Sequence, residues 1–315
     1  MSKNAKRFAA LLLVAALLIC LAAASVFVLK RFSDMYWNLY GAVHDRADHI
    51  ISYVDGMHQV PYAFDYSWVD GSPSSPLIAH AFGGIDGVVY TNSLEAFEAN
   101  YALGHRCFEV DFDLMPDEYR MIASHNEETW REVTGAGEEI PYDLENVLHP
   151  SFENPFTMLD YRDVVDLMAQ YSDIHIITDT KRYDSVNTFL QFSQLVKYAN
   201  ETAPEVLERI VPQIYTESML NWVMSVYPFK SVIYTLYLSG QEPESVYDFC
   251  LRSGVRFVAL YGTYPIAEAI DLWEPLDIIT AVYTVNDPAQ ASEYLDMGVD
   301  MIYTDFLNPG SLNRP

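Results

Sequence analysis

Positive charge is scarce in this chain. Among 315 residues there are 18 lysines and arginines against 44 aspartates and glutamates, a formal charge of −26. Such a surface repels nucleic-acid phosphates and excludes a nucleic-acid-binding role. It does not exclude a phosphate-bearing small molecule, but it requires a local cation to hold one. Cysteine is scarcer still. Cys20, Cys107 and Cys250 are too few for a disulfide framework, and each sits in an apolar run, where a thiol serves as a small hydrophobe. The G-x-G-x-x-G turn of dinucleotide-binding folds is absent.

One hydrophobic run is long. Residues 8–29, FAALLLVAALLICLAAASVFVL, carry no charge, and 22 residues are enough for a helix to cross a bilayer. Lys3, Lys6 and Arg7 precede the run, and Lys30 and Arg31 follow it. It is longer than the apolar core of most cleaved signal peptides. The reading is an uncleaved, single-pass anchor over 1–31, with the slight basic bias leaning toward the N-terminus inside and the bulk outside the cytoplasm. Residues 32–76 then form a juxtamembrane lead-in whose end, DYSWVDGSPSSP, has loop composition.

From residue 77 to 315 the pattern is regular. Eight short β-like runs, at 77–82, 107–114, 174–180, 209–215, 231–237, 257–261, 278–285 and 301–305, alternate with amphipathic stretches. In NSLEAFEANYALG, Asn92 has the place of an N-cap, Glu95 stands three residues on as a capping partner, and Gly104 marks a stop. Eight β/α alternations in about 240 residues fit a closed TIM (β/α)8 barrel; an open doubly wound sheet is the alternative. Between the second and third barrel strands an insertion covers 115–173. It holds a β-like run, EYRMIASH, and then an irregular stretch. It leaves the C-terminal end of a strand, where barrel enzymes work, so a substrate-covering role is expected.

Chemistry concentrates at that end. In CFEVDFDL, Phe108, Val110, Phe112 and Leu114 alternate with Glu109, Asp111 and Asp113. A barrel strand turns its apolar side to the helices, which puts the three acids inside. Unpaired buried carboxylates are costly, and a hard divalent cation is the simplest compensation. His80 closes the first run, His125 follows the second, and Asp179 and Lys181 close the next. Tyr283, Trp130 and Tyr261 are candidates to line the pocket.

The ordered set HAFGG, NSLEAFEANYALGHRCFEVDFDL, SH, DTK, VYTVND and MGVDMIYTD resembles the glycerophosphodiester phosphodiesterases, within the wider superfamily of barrel phosphodiesterases, over about 77–308. The resemblance implies that His80 and His125 are the general acid/base pair. It implies that Glu109, Asp111 and Asp179 bind one divalent ion, Ca2+ or Mg2+, with Lys181 near the phosphate. Tyr283 is assigned to substrate contact. Phosphodiester cleavage needs a base for the attacking hydroxyl and an acid for the leaving oxygen, and histidine suits both near neutral pH. In the family the attacking hydroxyl is the substrate's own, and a cyclic phosphate forms.

The departures are specific. The arginine that follows the first histidine in the family is Ala81 here, the aspartate after the second is Asn126, and the third acid is Asp179 rather than glutamate. Lys181, a basic residue of the insertion, or the amides of Gly83 and Gly84 are candidates for the arginine's place. Asp113 is expected to be a solvated or lysine-paired strand end. The implied substrate is a glycerophosphodiester, a lysophospholipid head group or a glycerol-phosphate polymer. A barrel that binds without turnover is the second reading. A two-carboxylate glycosidase is the third, disfavoured because Glu109 and Asp111 are neighbours on one strand.

Overall fold

The structure, a computed structural model, describes residues 61–71, 76–115, 119–237 and 240–312. The run at 8–29 and its basic flanks lie outside these residues. Among the described residues no helix is long and apolar enough to cross a membrane.

The strands are β1 (Leu77–Ala79), β2 (Cys107–Leu114), β3 (Met121–Ala123), β4 (His175–Thr180), β5 (Ile210–Ile214), β6 (Ile233–Thr235), β7 (Phe257–Tyr261), β8 (Ile279–Tyr283) and β9 (Met301–Thr304). Their order is β1-β9-β8-β7-β6-β5-β4-β2-β3, and β1 also pairs with β2. Eight strands therefore close into a parallel barrel, each β-like run of the sequence supplying one. The open-sheet alternative is excluded by the β1–β2 pairing, Ala79 opposite Phe108. The ninth strand, β3, is the EYRMIASH run. It turns back antiparallel on the far end of β2, with Leu114 opposite Met121 and Phe112 opposite Ala123.

The helices are α1 (Ser67–Gly71), α2 (Leu94–Ala102), α3 (Glu127–Thr134), α4 (Leu144–Leu148), α5 (Tyr161–Gln170), α6 (Ser185–Thr202), α7 (Glu217–Val226), α8 (Pro243–Ser253), α9 (Ile266–Trp273) and α10 (Pro288–Asp296). Capping chemistry sets their starts. Asp160, Asp184, Thr216 and Asp287 each accept a first-turn amide through the side chain. In α2 that cap is Ser93, not Asn92. Asn92, with φ at 48°, is turned inward to the barrel instead. Glu95 lies in the first turn but caps nothing. Its carboxylate accepts from the Thr157 amide (2.8 Å) and hydroxyl (2.7 Å), pinning the end of the insertion to α2.

The insertion is not irregular. It holds β3, α3 and α4 around a small core of its own: Met115, Ile122, Trp130, Leu144, Val147 and Met158. Trp130 is 1% exposed in that core, so it does not line the barrel's pocket as expected.

The main core fills the barrel and the space beneath its helices, and Cys107 and Cys250 are free and buried within it. The described part of the lead-in belongs with it. The Tyr62 amide donates to Ser253 O, the Asp65 amide to Lys230 O, and the Tyr66 hydroxyl to Val232 O. Trp68 stacks on His175 (5.0 Å) and Phe257 (5.9 Å), residues that open two barrel strands. Residues 61–71 thus pack across the N-terminal end of the barrel.

Candidate active site

The site lies at the C-terminal ends of the strands, in a cavity of about 320 Å3. Register builds it. Asp111 and Asp179 are opposed across the β2–β4 ladder, so their side chains leave the sheet on the same side. Glu109, two residues before Asp111, shares that side. Their carboxylate oxygens lie within 4.8 Å of one another. Glu109 and Asp111 are fully buried. A glycosidase needs its two acids on opposite sides of a sugar, and a shared cluster does not offer that.

Each carboxylate is fixed by a neighbour. Asn92 donates from Nδ2 to Asp111 Oδ2 (2.9 Å) and accepts the Asp111 amide at Oδ1 (3.0 Å). The Ala81 amide donates to Glu109 Oε2 (2.7 Å). The Tyr215 hydroxyl donates to Asp179 Oδ1. Lys181 Nζ bridges Asp111 Oδ1 (2.5 Å) and Asp179 Oδ2 (2.8 Å). Burial alone would pull the lysine's pKa down, but the charges of Asp111 and Asp179 outweigh it and raise it. Glu109 has no such partner, and its Oε1 is buried without a hydrogen bond. Burial, reinforced by the Asp111 charge, pushes its carboxyl up to about 8. A buried three-acid cluster with one lysine and one orphaned carboxylate oxygen fits a hard divalent cation.

The two histidines flank the cluster. His80 Nδ1 donates to Asp305 Oδ1 at 2.8 Å, and its Nε2 stands 3.9 Å from Glu109 Oε2. Asp305 is held in turn by Asn286, whose Nδ2 donates to Oδ2 (2.7 Å) and whose Oδ1 accepts the Asp305 amide (2.8 Å). Burial opposes charge on His80, but the Asp305 hydrogen bond and the Glu109 charge overcome it and raise its pKa to about 9. His125 is the reverse case: burial, then the Lys181 charge, lower it. The Asn126 amide nitrogen donates to His125 Nδ1 (2.7 Å), while Asn126 Oδ1 caps α3 on the Thr129 amide (2.9 Å). A nitrogen that accepts cannot carry the proton, so neutral His125 holds its proton on Nε2. The Tyr90 ring stands edge-on to both imidazoles, 4.8 Å from His80 and 5.1 Å from His125.

The structure thus brings His80, His125, Glu109, Asp179, Lys181 and Tyr283 to one cavity, with Asp111 in the same carboxylate cluster as Glu109 and Asp179. Tyr261 is outside, packed on Tyr264 at 5.5 Å. Asp113 is neither solvated nor lysine-paired. It is 4% exposed and accepts from Arg182 Nε (3.2 Å). The glycine amides do not replace the missing arginine: Gly83 N donates to His80 O (2.7 Å) and Gly84 N to Asp305 O (2.6 Å). Arg120 and Arg131 of the insertion pair with Asp160 and Glu127 instead. From the insertion, His125 is the residue that lines the cavity among the described residues. Among the described residues, Lys181 is the one basic side chain besides the histidines in that lining.

Asp305, Asn92, Asn286, Tyr90 and Gln213 were not singled out as site residues from sequence. Asp305 and Asn286 carried a signal, because they end the eighth and follow the seventh barrel runs in TVND and YTD. Tyr90 and Asn92 carried none, since both lie in a loop at positive φ.

Fold and site together define a parallel-barrel protein with a carboxylate cluster between two histidines. No family model and no curated protein sequence matches the chain. Among solved structures it is similar to glycerophosphodiester phosphodiesterases. One from Parabacteroides distasonis is 18% identical with a TM-score of 0.59, covering 75% of this chain and 94% of its own. One from Thermotoga maritima is 15% identical with a TM-score of 0.53, covering 73% and 94%. An Oleispira antarctica phosphodiesterase, solved in complex with the product sn-glycerol-3-phosphate, is 14% identical with a TM-score of 0.57, covering 74% and 93%. The chain shares their TIM-barrel fold.

Proposed function

We propose that the chain is a metal-dependent phosphodiester hydrolase acting on glycerophosphodiester-like substrates. The observation that carries this reading is the pair of oppositely poised histidines on either side of one carboxylate cluster. His80 is oriented by Asp305 through Nδ1, so Nε2 is the atom that exchanges a proton beside the cluster. His125, neutral with its proton on Nε2, presents that N–H as a hydrogen-bond donor to a departing alkoxide. Glu109, Asp111 and Asp179 would hold a Ca2+ or Mg2+ ion, which supplies charge neutralisation on the phosphoryl oxygens and lowers the pKa of a nearby hydroxyl. With the family's arginine replaced by Ala81, Lys181 is the side chain left to meet the phosphate. The product bound in the Oleispira relative supports a glycerol-phosphate diester as the substrate class.

The test is hydrolysis of glycerophosphocholine, glycerophosphoethanolamine, lysophospholipids and a chromogenic diester by the full chain, with Ca2+, with Mg2+ and with chelator. Activity should require metal and fall by about 10²–10⁴-fold in His80→Ala. Turnover that persists in chelator would sink the metal assignment. The missing arginine motivates a second reading, a binding barrel without turnover. Saturable metal binding with no hydrolysis of any diester would favour it.

The uncharged run at 8–29 supports a single-pass anchor with the barrel outside the cytoplasm. Protease accessibility of the barrel in intact cells tests that placement.

A further inference from the structure

Between the two histidines stands a tyrosine to which the proposed chemistry gives no task. Tyr90 lines the cavity. Its ring centroid is 4.8 Å from that of His80, with the planes at 79°, and 5.1 Å from that of His125, with the planes at 69°. A side chain that touches both imidazoles borders the gap across which acid and base must meet one phosphate.

The carboxylate cluster fixes its place. The loop that carries it, 81–92, begins and ends on the acids. The Ala81 amide donates to Glu109 Oε2 (2.7 Å), and Asn92 Nδ2 donates to Asp111 Oδ2 (2.9 Å). Midway, Ile85 and Val88 exchange both backbone hydrogen bonds at 2.9 Å. Thr91, Asn92 and Ser93, which follow Tyr90, are fully buried, and the Thr91 and Ser93 hydroxyls share a hydrogen bond at 3.1 Å. Tyr90 itself has φ at 59°, a left-handed conformation that a tyrosine keeps only where its surroundings impose it.

The hydroxyl is the unused end. It makes no hydrogen bond to protein among the described residues. Burial, then the charges of Asp111, Asp305 and Glu109, raise its pKa, so it keeps its proton at neutral pH and is a donor. Other donors nearby are engaged. The Ala81 amide is on Glu109, and Lys181 Nζ is shared between Asp111 and Asp179.

We infer that Tyr90 is a further catalytic residue, whose hydroxyl donates a hydrogen bond to a non-bridging phosphoryl oxygen held between His80 and His125, in the place that Ala81 leaves without a donor side chain. This rests on the proposed phosphodiesterase reading for its substrate. A phenol stabilises charge on the phosphoryl group without adding a cation beside His80, and so leaves the protonation of that imidazole to Asp305 and Glu109.

The test is Tyr90→Phe in the full chain, which keeps the ring and removes only the hydroxyl. sn-Glycerol 3-phosphate and ethyl phosphate share a phosphoryl head and differ in the alcohol. Each is titrated calorimetrically into the Ca2+-loaded wild type and variant. Both affinities should fall alike, by about ten- to a hundredfold, the range of a hydrogen bond to a charged acceptor. Ca2+ affinity and melting temperature should stay at wild-type values, and kcat/KM for glycerophosphocholine should fall by a like factor. Unchanged binding in the variant, a loss confined to sn-glycerol 3-phosphate, hydrolysis at the wild-type rate, or binding of neither ligand by the wild type would overturn the assignment. Equal loss of both affinities with no hydrolysis of any diester would leave the phosphate contact standing and remove the hydrolase reading instead.

Discussion

At the scale of single residues, the site depends on side chains that touch no reacting atom. Asn92 holds both the carboxylate and the backbone of Asp111. Partners of metal ligands typically govern affinity by about 10–100-fold. Asn92→Ala should therefore weaken Ca2+ binding by about that factor, read by titration calorimetry, while Asn126→Ala should leave it within about threefold. A second test concerns His105. Burial pulls its pKa down to about 4 from 6.5, although its Nε2 donates to Leu307 O at 2.9 Å. The folded state resists protonation there. The contribution is complete above pH 6.5 and is lost as the pH falls through about 4. His105→Gln should flatten the acid limb of a urea-midpoint profile over that window, by at most about 3 kcal/mol. A profile identical to wild type would refute it.

At the scale of elements, the sequence was legible where periodicity is enforced by a two-sided environment. β2 must face helices on one side and the barrel interior on the other, so its alternation survives in the text. Glu109 and Asp111 were legible through the alternation of β2, and the two histidines, Asp179 and the lysine because each sits at or just past a strand end, where position along the chain implies position in space. Asn92 was misread because its neighbour Ser93 has equal capping chemistry, and a positive φ, which turned Asn92 inward, leaves no compositional trace. Gln213 was passed over because an amide within an apolar strand has no pattern until Thr235 and Tyr303 are brought beside it. The stretch after EYRMIASH reads as irregular because α3 and α4 are short and contribute to a small core separate from the main one. Its core predicts a local response. Trp130→Ala should cost about 3–5 kcal/mol within the insertion. Amide exchange should rise in α3 and α4 while the amides of β4 and β7 stay protected. Uniform loss of protection would show that the two cores are one cooperative unit.

At the scale of the whole molecule, the −26 charge and the acid cluster are compatible with a divalent cation at the site, and they disfavour a bare anion there. The barrel separates its tasks along its axis. Chemistry sits at one end, and the aromatic segment 61–71 packs across the other. That segment carries a practical consequence for anyone cutting the gene. Gly254, at φ 84°, lies so close to Tyr62 O that a β-carbon there would stand 2.1 Å from it, and Tyr66, Trp68 and Phe257 form a continuous aromatic floor. An expression fragment trimmed to begin at 76 would lose Tyr66 and Trp68 and bare Phe257 and His175, on which they pack, to water as a sticky patch. It should precipitate or melt well below a fragment begun at 58, and differential scanning calorimetry of the two would show it.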